Sequence, residues 1–459
     1  MHRRVIRTRT TRRRRQWAAL ASVAAAATLA VTACSSSSPS SGSSTSNSGS
    51  VTGSVSGTLT IGIHAYFAPT MQQLVTAYEK ATPGVTVQVQ QLPNDNTYQT
   101  KLLTEKLGGS LPDIVATYDA LSSTLATDGV VQSLSPYMNA KDLYPTSYFL
   151  PNFLSSYISP TGADKGDVMG LPQEADATVV YYNKNEFAAA GVPAPAANWT
   201  WAQMLADSAK LAKSSGGKQV QWGMADTPDW QAVYNPLIKL LGGTAFSATS
   251  AGLDTPAAQK AWQMLIGPTQ TGQFVPYSVY AAAGYNAETL FQEGVASMYI
   301  GVRAQLPAVR TATQGKFDFD VASMPTVNGT APIGAGSIGW ALSSQAKNIK
   351  LSLNFLKWLY SGTGGMAILE KSYGVVPAIP SLSGTSSVWR SLPAPPATTE
   401  PFVTAAAQGL VAPNAPGTVF NQASTDIPKA IEAVVDNHES ISSAFASANS
   451  QINASYSGS

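Results

Sequence analysis

Three histidines, one cysteine and 26 acidic side chains are the reactive material of this 459-residue chain. The histidines are His2, His64 and His438, so a Ser-His-Asp triad has to be built on His64 or His438 once the arginine-rich start is set aside. The stretch "GAGSIG" (334–339) offers a serine in a glycine-rich turn, but Ala335 stands where a nucleophile elbow of the form Gly-x-Ser-x-Gly requires glycine. Neither HExxH, CxxC nor a Walker lysine motif is present, so no metal, catalytic set or cofactor is expected. Carboxylates are the remaining candidates. Asp119, Glu174 and Asp176 sit in polar stretches beside strands, and two opposed carboxylates suffice for glycoside hydrolysis. That leaves three classes open: a binding protein, a secreted glycoside hydrolase and a surface adhesin.

The elements that must carry these residues alternate in type. "GTLTIGIHA" (57–65) places Leu59, Ile61 and Ile63 at strand spacing. "PTMQQLVTAYEKATPG" (69–84) gathers Met71, Leu74, Val75 and Tyr78 on one helical face and stops at Pro83-Gly84. A strand at 85–92, a helix at 96–110 and a strand at 111–119 follow, which predicts a parallel, layered α/β unit. Ligands of such sheets lie beyond the carboxyl ends of the strands, a rule that nominates His64, Tyr66, Tyr118 and Asp119. Asp113, after Pro112 at a strand start, reads as structural. Trp199, Trp201, Trp340 and Trp358 fall in helix-start or apolar patterns and read as core.

The first 57 residues follow a different logic. Eight arginines and no acid lie within residues 2–15, followed by a mostly apolar run to residue 33. A basic head, a short apolar stretch and small residues describe an export signal, and the apolar run falls short of the roughly 20 residues of a membrane span. Ser-Arg-Arg-x-Phe is absent, which favours the general export route over the twin-arginine one. With the arginines of the leader removed, 20 basic residues face 26 acidic ones, net −6, which removes the case for nucleic acid as a partner. Cys34, the lone cysteine, cannot form an internal disulfide. Val31-Thr32-Ala33-Cys34 resembles the lipobox of bacterial lipoproteins, in which the cysteine is lipidated. Two acyl chains give stable anchoring at a membrane. Residues 34–57, rich in Ser and Gly, read as a tether with an end-to-end distance of about 25–30 Å. The remaining chain is long enough for two lobes.

Ordered segments of that remainder resemble the extracellular solute-binding proteins of ABC importers, specifically the large, maltose-binding-like carbohydrate family. They are "YEKATPGVTVQVQ", "GGSLPDIV", "GLPQEADATVVYYNKNEFAAAGVPAP", "LFQEGVASMYIGVRAQLP", "FDFDVASMPTVNG", "GWALSSQAKNIKLSLNFLKWL" and "YGVVPAIPS". The resemblance implies a two-lobed, periplasmic-binding-protein-like α/β fold with three interlobe crossings, near 173–177, 333–338 and 373–378, and a ligand cleft between the lobes. Lobe one is then 58–173 with 338–373, and lobe two 177–333 with 378–459. It implies capture of a di- or oligosaccharide without catalysis, and as partners two permease subunits and their ATPase. With the lipobox, it implies a lipid-anchored protein on the outer face of a Gram-positive cell membrane.

The resemblance also extends the set of ligand contacts. Sugars offer apolar ring faces to aromatic side chains and hydroxyl rims to carboxylates, amides and guanidinium groups. Asp119, Glu174 and Asp176 match loop and crossing positions that hold ligand in the family. Trp230 and Tyr234, in "DTPDWQAVYNPL", occupy a cleft-facing stretch, and Tyr373 starts the last crossing. Phe420, in "APGTVFNQ", completes the expected set. Arg303 takes a place that often carries an aromatic ring in relatives, which points to a polar or acidic group on the ligand.

Overall fold

The computed structural model describes residues 53–93, 97–160, 162–282, 286–383, 394–411, 415 and 417–458. The leader, Cys34 and the tether up to residue 52 lie outside the described residues. Among the described residues no helix is long and apolar enough to cross a membrane.

Two five-stranded sheets organise the chain. In the first, Gly57–His64 lies between the parallel strands Val85–Leu92 and Ile114–Tyr118, and Ile338–Leu342 then Leu171–Pro172 add antiparallel partners. Leu59, Ile61 and Ile63 are fully buried, as their spacing predicts. Gly62 and His64 on the opposite face are buried as well, because helices cover both sides of this sheet, as parallel sheets require. The helix Ala68–Ala81 buries Met71, Leu74, Val75 and Tyr78 against one face. Helix Thr97–Leu107 buries Tyr98 and Leu102 on the other.

In the second sheet the order is Phe319–Ala322, Val179–Asn183, Ala296–Gly301, Lys218–Ala225 and Lys213–Ser215, with its own large apolar core. The helix Trp201–Leu211 begins on a capping box in which Thr200 Oγ1 accepts from Gln203 N–H and Gln203 Oε1 accepts from Thr200 N–H. Trp199 and Trp201 are buried here; Trp340 is fully buried in the first core, and Trp358 packs half-buried beside Tyr78.

The segments read as crossings hydrogen-bond to one another. Gln173 N–H donates to Ile338 O (2.8 Å), Thr178 N–H to Gly334 O (2.8 Å) and Ala175 N–H to Val376 O (2.7 Å). Asp176–Ala177, Gly334–Gly336 and Leu410–Val411 form a small third sheet at the same place.

Asp113 is a bracket for the first sheet. Its Oδ2 accepts from Thr60 N–H (2.8 Å) and Thr60 Oγ1–H (2.6 Å), and its Oδ1 accepts from Lys347 N–H (2.7 Å). Hydrogen bonds to a charged group contribute about 1.5–3 kcal/mol each. Asp113→Ala is expected to destabilise the chain by about 2–3 kcal/mol, since it orphans buried donors. Urea titration with an unchanged midpoint would refute this role.

Candidate functional site: two adjoining aromatic cavities

A cavity of about 310 Å³ opens where the ends of the two sheets meet. From the first sheet come Tyr118, the last residue of its strand, and Asp119, the first of the following helix Asp119–Thr127. A carboxylate in that first turn is favoured by the helix dipole. From the second sheet come Asp229, Trp230 and Gln231, which follow strand Lys218–Ala225, and Tyr234, one turn into helix Gln231–Leu240. Phe420, on helix Gly417–Val435, closes a third side. Tyr118, Phe420 and Ser424 are shared with a second cavity of about 290 Å³, whose far wall includes Tyr98, Gln99 and Thr100.

Local chemistry fixes these groups. Trp230 caps its helix through the backbone, its carbonyl accepting from Val233 N–H (2.8 Å), and its ring is left half-buried at the cavity. Tyr234 is nearly buried, its ring packed on Trp262 with centroids 5.2 Å apart, so it forms wall more than open surface. Tyr277 Oη–H donates to Asp229 Oδ2 (2.8 Å). Burial pushes the Asp229 carboxyl up from the ordinary aspartate value, an effect the Tyr277 bond opposes. Burial, followed by the neighbouring Asp119 carboxylate, pushes the Tyr118 phenol up to about 12.

His64 and Tyr66 line neither cavity; His64 is buried and Tyr66 is 48% exposed. The His64 ring stacks on Tyr98 (3.9 Å) and Tyr66 (5.6 Å) and tilts against Tyr118 (6.2 Å). Its Nδ1 lies 3.3 Å from Pro93 O, and a carbonyl only accepts, so Nδ1 carries the proton. Burial lowers the His64 pKa, with the Pro93 bond opposing. A histidine whose folded pKa is depressed contributes stability above its unfolded value, near 6.5, that is lost as pH falls toward the folded value. Between pH 7 and 5 the melting temperature should therefore fall less in His64→Gln than in the parent. Parallel curves would refute the assignment.

Glu174 and Arg303, both buried, form a separate group with the half-buried Asp176. None of the three lines either cavity. Asp176 Oδ1 accepts from Arg303 N–H (2.9 Å), and Gln173 Nε2 donates to Glu174 Oε2 (3.2 Å). Burial pushes both carboxyls up, and the Asp176 charge pushes Glu174 further. Arg303 is 1% exposed, its guanidinium lies over the Phe402 ring at 5.8 Å, and its Nε and Nη2 have no hydrogen-bond partner among the described residues. Burial lowers its pKa to about 10, which leaves it charged. The expectation that Arg303 meets an acidic ligand group therefore loses its geometry: the arginine is inside the protein. Tyr373 ends the helical turn Leu369–Tyr373, and its side chain lies outside the described residues.

Five of the eleven expected contacts thus share the first cavity: Tyr118, Asp119, Trp230, Tyr234 and Phe420. Asp229 and Tyr98 were not among them. Asp229 stands in the same turn as Trp230, a usable signal. Tyr98 faces inward from a helix start, where spacing alone reads it as core.

A cleft of aromatic rings and carboxylates between two α/β sheets is the architecture of a two-lobed solute-binding protein. The chain belongs to the bacterial extracellular solute-binding protein family, whose sequence pattern it matches over residues 64–366. A Brucella abortus relative is 29% identical over 234 residues, covering 50% of this chain and 54% of the relative. The sn-glycerol-3-phosphate-binding periplasmic protein of Yersinia pestis is 26% identical over 265 residues, 55% of this chain and 58% of that one. The chain thus aligns with just over half the length of these curated relatives. Among solved structures, an ABC substrate-binding protein from Listeria monocytogenes in complex with cycloalternan superposes with a TM-score of 0.75 at 20% identity, covering 88% of this chain and 100% of that one. A Mycobacterium tuberculosis protein in complex with glycerophosphocholine gives 0.71 at 15% identity, with 88% and 99% covered. At such identities these structures establish the fold.

Proposed function

We propose that this chain captures a carbohydrate, a di- or oligosaccharide, outside the cell and delivers it unchanged to an ABC importer. The observation that carries this reading is the pair of adjoining cavities, about 310 and 290 Å³, walled by aromatic rings and edged by carboxylates and amides. Rings suit sugar faces, and carboxylates and amides suit hydroxyl pairs. Two spaces that share Tyr118, Phe420 and Ser424 in their walls suit an extended ligand better than a single ring. The family, and the cycloalternan held by the Listeria structure, favour the same ligand class.

In this reading residues 58–173 with 338–373 form one lobe and 177–333 with 378–459 the other. The hydrogen-bonded segments at 173–177, 333–338 and 373–378 are the crossings about which the lobes close. Cys34 carries the lipid anchor, and two permease subunits with an ATPase are the partners. Replacement of Cys34 by serine should release the protein from the membrane fraction.

The test is a thermal-shift and calorimetry panel of neutral di- and trisaccharides, with mass spectrometry of the sugar after incubation. Binding with the sugar intact supports the proposal. Shortened sugar means a glycoside hydrolase, and absence of any carbohydrate binding overturns the reading.

A further inference from the structure

The described walls of both cavities contain two acidic side chains and no lysine, arginine or histidine. Asp119 and Asp229 reach the first cavity from opposite sheets, beside Tyr118 and Trp230. Asp226, three residues before Asp229, lines neither cavity; it is 1% exposed, and its carboxyl oxygens have no hydrogen-bond partner among the described residues. The Arg303 guanidinium is inside the protein and is not part of the lining.

We infer that the ligand carries a protonated amine, as in an amino sugar, seated in the first cavity between Asp119 and Asp229, and that phosphorylated or uronic ligands are excluded. This deepens the reading of the chain as a carbohydrate binder and rests on it. Two kinds of group in the same wall attract a cation. Carboxylates do so by charge, the more strongly as the ligand displaces water. Tyr and Trp rings do so through their electron-rich faces. The same wall repels an anion, which would have to give up its hydration with no cationic side chain among the described lining residues to receive it. Burial already penalises the Asp229 charge in the open cavity, so an arriving ammonium group relieves a cost that a neutral hydroxyl leaves in place.

The experiment compares disaccharide sets built on glucose, mannose and galactose. Each set contains a neutral sugar, its amino-sugar counterpart and its uronic counterpart, and each is titrated calorimetrically into the full mature chain. In the set that fits, the amino sugar is expected to bind about tenfold or more tightly than the neutral sugar, the size of one charge-assisted hydrogen bond. The uronic sugar should not bind measurably. Asp229→Asn should collapse the ratio between amino and neutral sugar toward one, and Asp119→Asn serves as a second variant should Asp229→Asn fold poorly by melting curve. The preference of the parent chain should weaken as salt is added. If neutral sugars bind but the amino forms bind no tighter, or if the uronic forms bind equally well, the charge inference is wrong and the carbohydrate reading stands. If nothing in any set binds, the carbohydrate reading falls and takes this inference with it.

Discussion

Trp230→Ala is expected to weaken carbohydrate binding by roughly 30- to 150-fold and to leave the chain folded. The ring stands half-buried at the first cavity, directly before helix Gln231–Leu240. A sugar covering one face would hide on the order of 100 Å² of it, since aromatic side chains bury about 150–250 Å² in full. At about 25 cal/mol per Å² that area contributes about 2.5 kcal/mol. A total of about 2–3 kcal/mol corresponds to the stated range, because each 1.4 kcal/mol is roughly a factor of ten. The fold tolerates the change for a local reason. Trp230 caps the helix with its backbone carbonyl, which accepts from Val233 N–H and Tyr234 N–H, and alanine keeps that carbonyl. Calorimetry and a melting curve on the same preparation make the test. Unchanged affinity beside a melting point lowered by many degrees would make Trp230 a packing residue and misplace the cleft.

The first sheet was legible because its strands and helices are strongly periodic. Leu59, Ile61 and Ile63 alternate, Met71 to Tyr78 share a helical face, and both patterns lie against one core. The rule that ligands gather beyond strand ends points to Tyr118 and Asp119 without any tertiary information, and both line the first cavity. Tyr98 was hidden because a tyrosine at a helix start that donates to a buried carbonyl, here Ala116 O at 2.7 Å, has the pattern of a core residue. Arg303 failed in the opposite sense. A guanidinium at a strand end reads as exposed, since arginine is rarely buried. What encloses it are segments far away in sequence, Asp176, Gly374 and Phe402. No spacing rule brings those together, and for the same reason the burial of Glu174 cannot be read from the sequence.

Gly334→Ala is expected to cost about 3 kcal/mol or more of stability and to impair binding in whatever fraction folds, the result of overpacking at a site that cannot give. Gly334 begins the short strand Gly334–Gly336, whose neighbours are Asp176–Ala177 and Leu410–Val411. A methyl group there would fall inside the van der Waals envelope of three backbone atoms of Ala232. A side chain could rotate away, but the Ala232 backbone belongs to helix Gln231–Leu240 and moves only with it. The opposite escape is closed as well. Gly334 N–H donates to Thr178 Oγ1 (3.0 Å) and Gly334 O accepts from Thr178 N–H (2.8 Å), so the strand cannot retreat without breaking bonds to the neighbouring segment. The displaced helix is the one that follows Trp230 and carries Gln231 and Tyr234 to the cavity, which couples this packing defect to the ligand. Gly108→Ala is the control, because a methyl group there meets only ordinary contacts at 3.5–3.6 Å. Urea midpoints and sugar titrations of the two variants separate the outcomes. A Gly334→Ala chain with the parent's midpoint and affinity would mean that the helix is not seated on this strand.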